Sequence, residues 1–363
     1  MVLAGMAWAA AIRLAIADDL ETAVDRVSGI VYLDANANGQ CDAGEKPLAG
    51  IRITDSIGFV MTDDQGRFTI QIAADVQTPY APARVVSMSW PSGFWPSGRW
   101  WRRLSELQPT EEVTFGLRED SQPWPFIFAQ VGDCHGGAAP FQAEGPFVRL
   151  FKDQFGPALK FCVHAGDYGY CTTEVMDSMF DTVVRNTRDF PVPMFFNVGN
   201  HDLAGRTAES WKQPRHGYWG FTKHLGPVRW SFSYGGVHFA AVDWADISSG
   251  DYHEGVPAVA AAWLDQDLEA QPAGTRSFVF AHHPSGSQAF IDVLVKHGVC
   301  HVFGGHTHKY KQYMLGGKVP GMTVLNAASV ATVAVLVQQD RHDLVHYCGG
   351  CKHGPHYHGK NCA

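Results

Sequence analysis

The tetrapeptide Gly199-Asn200-His201-Asp202 follows an apolar run, Val192, Met194, Phe195, Phe196 and Val198, that stops at the glycine. A buried strand ending this way delivers three polar side chains to its C-terminal end, where open α/β sheets bind ligands. Taken singly the tetrapeptide is ordinary, because Asn and Asp are common turn residues and a histidine is often a satisfied core group. Four other apolar runs end alike. Phe126 to Val131 leads into Gly132-Asp133-Cys134-His135, and Leu159 to Ala165 into Gly166-Asp167. Phe278 to Ala281 leads into His282-His283, and Val299 to Phe303 into Gly304-Gly305-His306-Thr307-His308. Asp, Asn and His are all metal ligands, and five strand ends at one sheet edge can gather them in space although they are far apart in sequence. Together they point to a metal centre.

The elements that must position these residues begin after Ser121 to Pro125, the best domain boundary. Apolar strands then alternate with helical segments, which implies a mainly parallel sheet with covering helices. A helix is expected where Val175, Met176, Met179, Phe180, Val183 and Val184 share a face, and another over Ala258 to Ala270 with Trp263, Leu264 and Leu268 inward. Trp230 to Tyr234 and Val237 to Val242 should form a hairpin across Gly235-Gly236. The catalytic unit is thus expected over 124–337, with a Cys/His-rich tail over 340–363 that carries Cys348, Cys351, Cys362, His353, His356 and His358. That tail matches no zinc spacing and reads as disordered or disulfide-pinned.

Ahead of the boundary the pattern is strand-like over 27–119: Ile30 and Tyr32, Ile51 and Ile53, then Phe68, Ile70 and Ile72 alternate with polar or small residues. Between the first two runs, residues 34–45 fit the calcium loop D-x-[DN]-x-[DN]-G-x5-E at every defined position. Asp34, Asn36, Asn38, Gln40, Asp42 and Glu45 would wrap one structural calcium ion, with Gly39 at the sharp bend. Strand-like flanks make it a staple in a β domain and not a helix-pair sensor. The aromatic segment Trp90 to Trp101 reads as packing between domains, with a sugar-stacking surface as the alternative.

Composition bounds the partners. The chain has 363 residues, 45% hydrophobic and 18% charged, and a net charge of −8, so it offers no basic field for holding nucleic acid. Residues 1–17 are nearly all small or apolar and end in Ala15-Ile16-Ala17, which reads as a signal peptide and implies a periplasmic or secreted protein. No apolar run reaches the roughly 20 residues of a membrane span. Eight cysteines suit export, and a Cys134 to Cys171 bond is one conceivable pairing.

Two resemblances add to this reading. Gly29 to Asp34, Asn36-Ala-Asn38-Gly39, Asp42-Ala-Gly44-Glu45, Leu48 to Ile51 and Thr62 to Phe68 resemble the collagen-adhesin B-type and carboxypeptidase regulatory-like β-sandwich modules of exported proteins. The stretch from Val85 to Arg118 is similar to the end of the module that precedes certain bacterial phosphoesterases. The strand-end residues resemble the calcineurin-like metallophosphoesterases, whose signature is D-x-H, G-D, G-N-H-D/E, H and G-H-x-H. That resemblance implies an α/β (α+β) four-layer β-sandwich flanked by helices, preceded here by a small all-β sandwich domain. It implies one metal on Asp133, His135, Asp167 and His308, and another on Asp167, Asn200, His282 and His306. The fourth motif falls on His282 and not His283, because the family places one residue between its ligand and Pro284. Gly166-Asp167-x-x-Tyr170 and the stretch Trp230 to Asp243 are similar to purple acid phosphatases, which makes Tyr170 a candidate ligand; those enzymes lack the histidine that stands here as His135.

Two divalent or trivalent ions (Mn, Fe, Zn or Mg) about 3.5 to 4 Å apart would generate a bridging hydroxide near neutral pH and clamp phosphoryl oxygens. His201, beside the second metal without ligating it, would protonate the departing alkoxide, and Asp202 would orient that imidazole. Arg206, His216, His224, Tyr252 and His253 could line the mouth. The function expected is hydrolysis of a small-molecule phosphomonoester or phosphodiester. A catalytically silent wall- or matrix-binding protein using the β module, and a nuclease, are the alternatives; oligomeric state is left open.

Overall fold

The computed structural model describes residues 26–72, 85–108, 110–136, 151–211, 213, 215–246, 252–283, 287–323, 331–348 and 356–360. The signal peptide expected at 1–17 and Cys351, His353 and Cys362 of the tail lie outside them. Among the described residues no helix is long and apolar enough to cross a membrane.

The first unit is a pair of β-sheets. One joins Lys46–Pro47, Arg26–Leu33, Val113–Glu119 and Phe94–Pro96, with Arg67–Gln71 also on Arg26–Leu33. The other orders Phe59–Met61, Arg52–Thr54, Val85–Ser89 and Trp101–Arg103. Strict alternation in Arg67–Gln71 turns Phe68 and Ile70 inward, as a half-buried strand requires. The first strand differs in part from expectation: Tyr32 is buried, but so are Val27 and Val31 on the other face, while Ile30 is half-buried.

The second unit contains two mixed six-stranded sheets, the packed pair that the family resemblance implies, where hydrophobic periodicity alone read as a mainly parallel sheet. One runs Met194–Phe196, Leu159–His164, Phe126–Val131, Ala331–Val337, His342–Cys348, His356–Lys360, parallel over the first three strands and antiparallel beyond. The other runs Trp230–Tyr234, Val237–Ala241, Arg276–Phe280, His301–Gly304, Val319–Thr323, Lys311–Leu315, with antiparallel pairs at both edges. Runs that are apolar throughout bury both faces: one faces the opposite sheet and the other its helices. Between the sheets lie phenylalanine layers, with Phe128 stacked on Phe161 at 5.5 Å and 4°. Outside them, Met176–Thr187 and Trp219–His224 cover one sheet, and Ala258–Glu269 and Gln288–Lys296 the other. Strands 342–348 and 356–360 also revise the tail, whose backbone continues the first sheet.

The aromatic segment is internal, not a sugar platform. Trp90 is 2% exposed and stacks on Phe232 at 4.9 Å and 6°. Around it the two units share one core and buried polar links. Ser89 Oγ lies 2.8 Å from Ser231 Oγ, and Arg229 joins the Ser56 carbonyl at 2.6 Å while holding Asp243. Trp263 donates to Thr54 Oγ1 at 3.0 Å. Fully buried Asp267 takes Arg52 at 2.7 Å, His238 at 2.6 Å and Ser231 at 2.8 Å.

Burial pushes the Asp267 carboxyl up, but His238 and then Arg52 outweigh it and hold it below the usual carboxylate range. A carboxylate depressed in the folded state contributes stability above its unfolded pKa near 3.8 and loses it as pH falls through the folded value. Asp267→Ala should therefore cost about 3–5 kcal/mol in urea unfolding at pH 7, because Arg52 and His238 lose their partner. The gap from wild type should narrow below about pH 4.

Candidate metal centre

The ligand residues all follow strands whose C-terminal ends meet, and they come from both sheets of the second unit. Asp133 and His135 follow Phe126–Val131, Asp167 follows Leu159–His164, and Asn200 opens a short turn after Met194–Phe196. His282 follows Arg276–Phe280, and His306 and His308 follow His301–Gly304. Five of these seven stand in left-handed backbone: Asp133 (φ 55°), His135 (45°), Asp167 (61°), His306 (66°) and His308 (52°). Non-glycine residues rarely adopt that region, and each instance costs on the order of 1–3 kcal/mol that surrounding contacts must overcome.

Those contacts are explicit. Asp133 N–H donates to Gly166 O at 2.9 Å, His135 N–H to Asp167 O at 3.0 Å, and His306 N–H to Asp133 Oδ1 at 2.7 Å. His201 N–H donates to Asp167 Oδ1 at 2.9 Å. Two glycines permit the close approach: a Cβ on Gly199 would stand 2.2 Å from Asp167 Oδ1, and one on Gly305 2.2 Å from Asp133 Oδ2.

The result is two adjoining ligand groups. Asp133, His135, Asp167 and His308 bring one donor atom each within 4.8 Å of one another, and so do Asp167, His282 and His306. Asn200 Oδ1 completes the second group, 3.0 Å from His282 Nε2 and 3.1 Å from His306 Nδ1. Asp167 is common to both. His283, one position on, instead lies against Trp244 and His306.

These donors fit cations. His135 Nε2 and His308 Nε2 face each other at 3.0 Å, while Asp133 Oδ2 and His135 Nδ1 are buried without hydrogen-bond partners. Buried lone pairs converge like this only where something positive satisfies them. His282 Nδ1 donates to Ala165 O at 2.8 Å, which turns Nε2 toward Asn200 and toward Asp167 Oδ2 at 3.3 Å. Burial lowers His282, yet the Asp167 carboxylate outweighs it and raises the imidazole to about 9. Asp167, pushed up by burial, is held well below its ordinary range by His282. The acceptor-rich pocket thus draws positive charge onto itself.

His201 and Asp202 are placed differently from expectation. The His201 ring abuts His135 at 5.2 Å and Tyr170 at 4.7 Å, beside the first group and not the second. Asp202 does not orient it: Oδ2 accepts the amides of Asp167 (2.8 Å) and Gly199 (2.7 Å), and Oδ1 that of Tyr168 (2.8 Å). Three backbone donors saturate the carboxylate and tie two strand ends together. The side chain that meets His201 is Arg206, 3.4 Å from Nδ1. Tyr170 stacks on His135 at 5.1 Å and stays 62% exposed.

Of the other mouth candidates, Tyr252 lies under Arg206, His216 beside Gly205, and His253 is exposed on a short strand. His224 points elsewhere, pairing with Asp177 at 2.9 Å. Cys134 and Cys171 are free thiols, so no bond joins them, and Cys134 faces the Tyr168 carbonyl. Cys300 is disulfide-bonded. Trp244, which packs on His282 and His306 at 5.5 and 4.8 Å, had no motif to announce it beyond its place just past the strand Val237–Ala241.

In the calcium-type loop, Glu45 accepts the amides of Ala35 and Asp42. Asp34 accepts those of Asn38 and Gly39. Asn36 and Asn38 donate to Asp42 Oδ2 at 2.9 and 2.8 Å. Its carboxylates are not among the described groups whose atoms lie within 4.8 Å.

The model of the calcineurin-like phosphoesterase family matches residues 126–310, which hold every one of these ligands. The chain belongs to that family. This phosphoesterase is similar to a dimetal phosphatase from Danio rerio, at 14% identity and TM-score 0.45, over 66% of this chain and 96% of that one. It is also similar to a purple acid phosphatase from yellow lupin seeds, at 13% identity and TM-score 0.47, over 85% and 69%. A search of curated proteins finds no match.

Substitutions separate the roles within the phosphoesterase's central tetrapeptide. Asn200→Ala should lower metal content by loosening the second group, read by elemental analysis after dialysis. His201→Ala should retain both metals and lose turnover by about 10²–10⁴-fold. Equal metal loss in both variants would refute the division.

Proposed function

We propose that the chain hydrolyses phosphomonoesters or phosphodiesters of small molecules with two metal ions held by Asp133, His135, Asp167, Asn200, His282, His306 and His308. The observation that carries this reading is the pair of adjoining ligand groups sharing Asp167, with Asn200 Oδ1 closing the second. Ions bound there would supply Lewis acidity toward phosphoryl oxygens and lower the pKa of a water molecule. Asn200 suits its place because a neutral carbonyl oxygen leaves the centre more positive than a carboxylate would.

His201 supplies the proton for the leaving group. Asp202 acts at one remove, fixing the backbone that aims Asp167 and His201. Trp244 shields the rear of His282 and His306 from water. Tyr170 is best read as a rim residue, since its ring lies over His135 and most of it faces solvent.

The direct test assays purified protein on aryl phosphates and bis-aryl phosphates with Mn, Fe, Zn or Mg supplied. Turnover that disappears on chelation and returns with metal is expected; no hydrolysis of either substrate with any ion would sink the reading. Iron-loaded protein should lack a tyrosinate-to-iron absorption, and its presence would make Tyr170 a ligand after all.

We also read the loop of Asp34, Asn36, Asn38, Gln40, Asp42 and Glu45 as a structural calcium site, supported by its motif, by buried Asp34 and by Gly39 at φ 74°. Millimolar calcium should raise the Tm, and Glu45→Ala should abolish the shift.

A further inference from the structure

Beside His201 stands the guanidinium of Arg206. The exposed Arg206 guanidinium meets His201 Nδ1 at 3.4 Å and lies 5.7 Å from the Tyr252 ring, and among the described residues it pairs with no carboxylate. In a chain of net charge −8 most arginines could find an acid. Arg52, Arg67, Arg99, Arg102, Arg215 and Arg229 each do so here. The hydroxyl of Tyr252, whose ring the guanidinium overlies, is buried and has no hydrogen-bond partner. Burial and then Glu254 push that hydroxyl's pKa up, so it stays a donor. Glu254 itself lies toward the second ligand group, 3.8 Å from His306 Nε2.

The arginine is held in place by its loop. Ala204 bridges Gly217, whose amide donates to Ala204 O at 2.8 Å. Trp211 Nε1 donates to Gly205 O at 3.0 Å, and Thr207 and Ser210 exchange hydrogen bonds across the following turn. A positioned guanidinium that meets His201 through one nitrogen and has further N–H donors, together with a buried O–H lacking a hydrogen-bond partner, stands where a leaving group would depart past His201.

We propose that Arg206 and Tyr252 form an anion subsite that selects phosphoesters whose leaving group carries its own negative group, such as a second phosphate. This rests on the phosphoesterase reading for the position of the scissile bond, but the subsite itself is defined by the guanidinium donors that His201 does not take and by the Tyr252 hydroxyl. The chemistry stays ordinary hydrolysis: the bond from phosphorus to the leaving oxygen breaks, water's oxygen takes its place, and a proton passes to the departing oxygen. Charge-assisted hydrogen bonds from guanidinium to phosphate give both affinity and orientation.

The test compares methylenediphosphonate with inorganic phosphate by calorimetry on manganese-loaded protein, alongside kcat/KM for ADP and p-nitrophenyl phosphate. In Arg206→Ala the ratio of diphosphonate to phosphate affinity should fall by about tenfold or more, as expected for loss of a hydrogen bond to a charged group. The ADP to aryl phosphate ratio of kcat/KM should fall in parallel, chiefly through KM. Arg206→Lys should restore part of both, and Tyr252→Phe should lower them in the same direction. Unchanged ratios in folded Arg206→Ala would overturn the subsite even if the wild type hydrolyses both substrates. A lowered affinity ratio in a wild type that hydrolyses neither would uphold the subsite and overturn the hydrolase reading.

Discussion

Asp202 is fully buried, and its two oxygens accept the amides of Asp167, Tyr168 and Gly199. That interaction makes the rest of the centre possible. Strand ends diverge into loops unless something fixes them, and here two loops from neighbouring strands converge on one acceptor. Asp167 is thereby held in a left-handed conformation with one oxygen on the His201 amide and the other facing His282 and His135. The pocket then concentrates lone pairs in a buried space, which is tolerable only when positive charge fills it. Local strain, buried acceptors and the missing Cβ atoms of Gly199 and Gly305 are parts of one requirement: carboxylate, imidazole and carboxamide must approach more closely than ordinary packing allows.

Much of this was legible in the sequence, and the reason is geometric. A strand buried on both faces must be apolar until it ends, so polar residues stacked at the end advertise a site, and five repetitions pointed to a metal centre, while the choice of seven candidate ligands among them came from the family resemblance. Hydrophobic periodicity likewise located the helices Met176–Thr187 and Ala258–Glu269 and the hairpin across Gly235-Gly236. What periodicity lacks is the identity of the opposing face. One parallel sheet and two packed sheets give the same apolar runs, so the sandwich was legible only through the family resemblance of the strand-end motifs and not through periodicity. The burial of Val27 and Val31 beside Tyr32 in Arg26–Leu33 was hidden as well, since the partner strand Val113–Glu119 lies far along the chain.

Side-chain roles were less legible than positions. Asp202 adjoins His201 in sequence, which suggested a partnership, yet consecutive residues in a tight turn point apart. The pairing of His201 with Arg206 spans a turn whose shape depends on Gly205, Gly217 and Trp211, none of which carries a recognisable motif. The backbone beyond residue 340 had a composition typical of a loose tail, but the exposed edge of Ala331–Val337 offers unpaired hydrogen-bonding groups, and His342–Cys348 takes them.

The shared aromatic core around Trp90 has a consequence for how the molecule is made. Ser89 and its partner Ser231 are 142 residues apart, so the first unit leaves the ribosome long before the strand that covers its tryptophan face exists. At synthesis rates of about 5–20 residues per second the interval is roughly 7–28 s, ample time for a small β-domain to collapse with that face open. Over that interval the nascent chain carries a sticky, tryptophan-rich surface. That face gains its native cover only when Trp230–Tyr234 arrives.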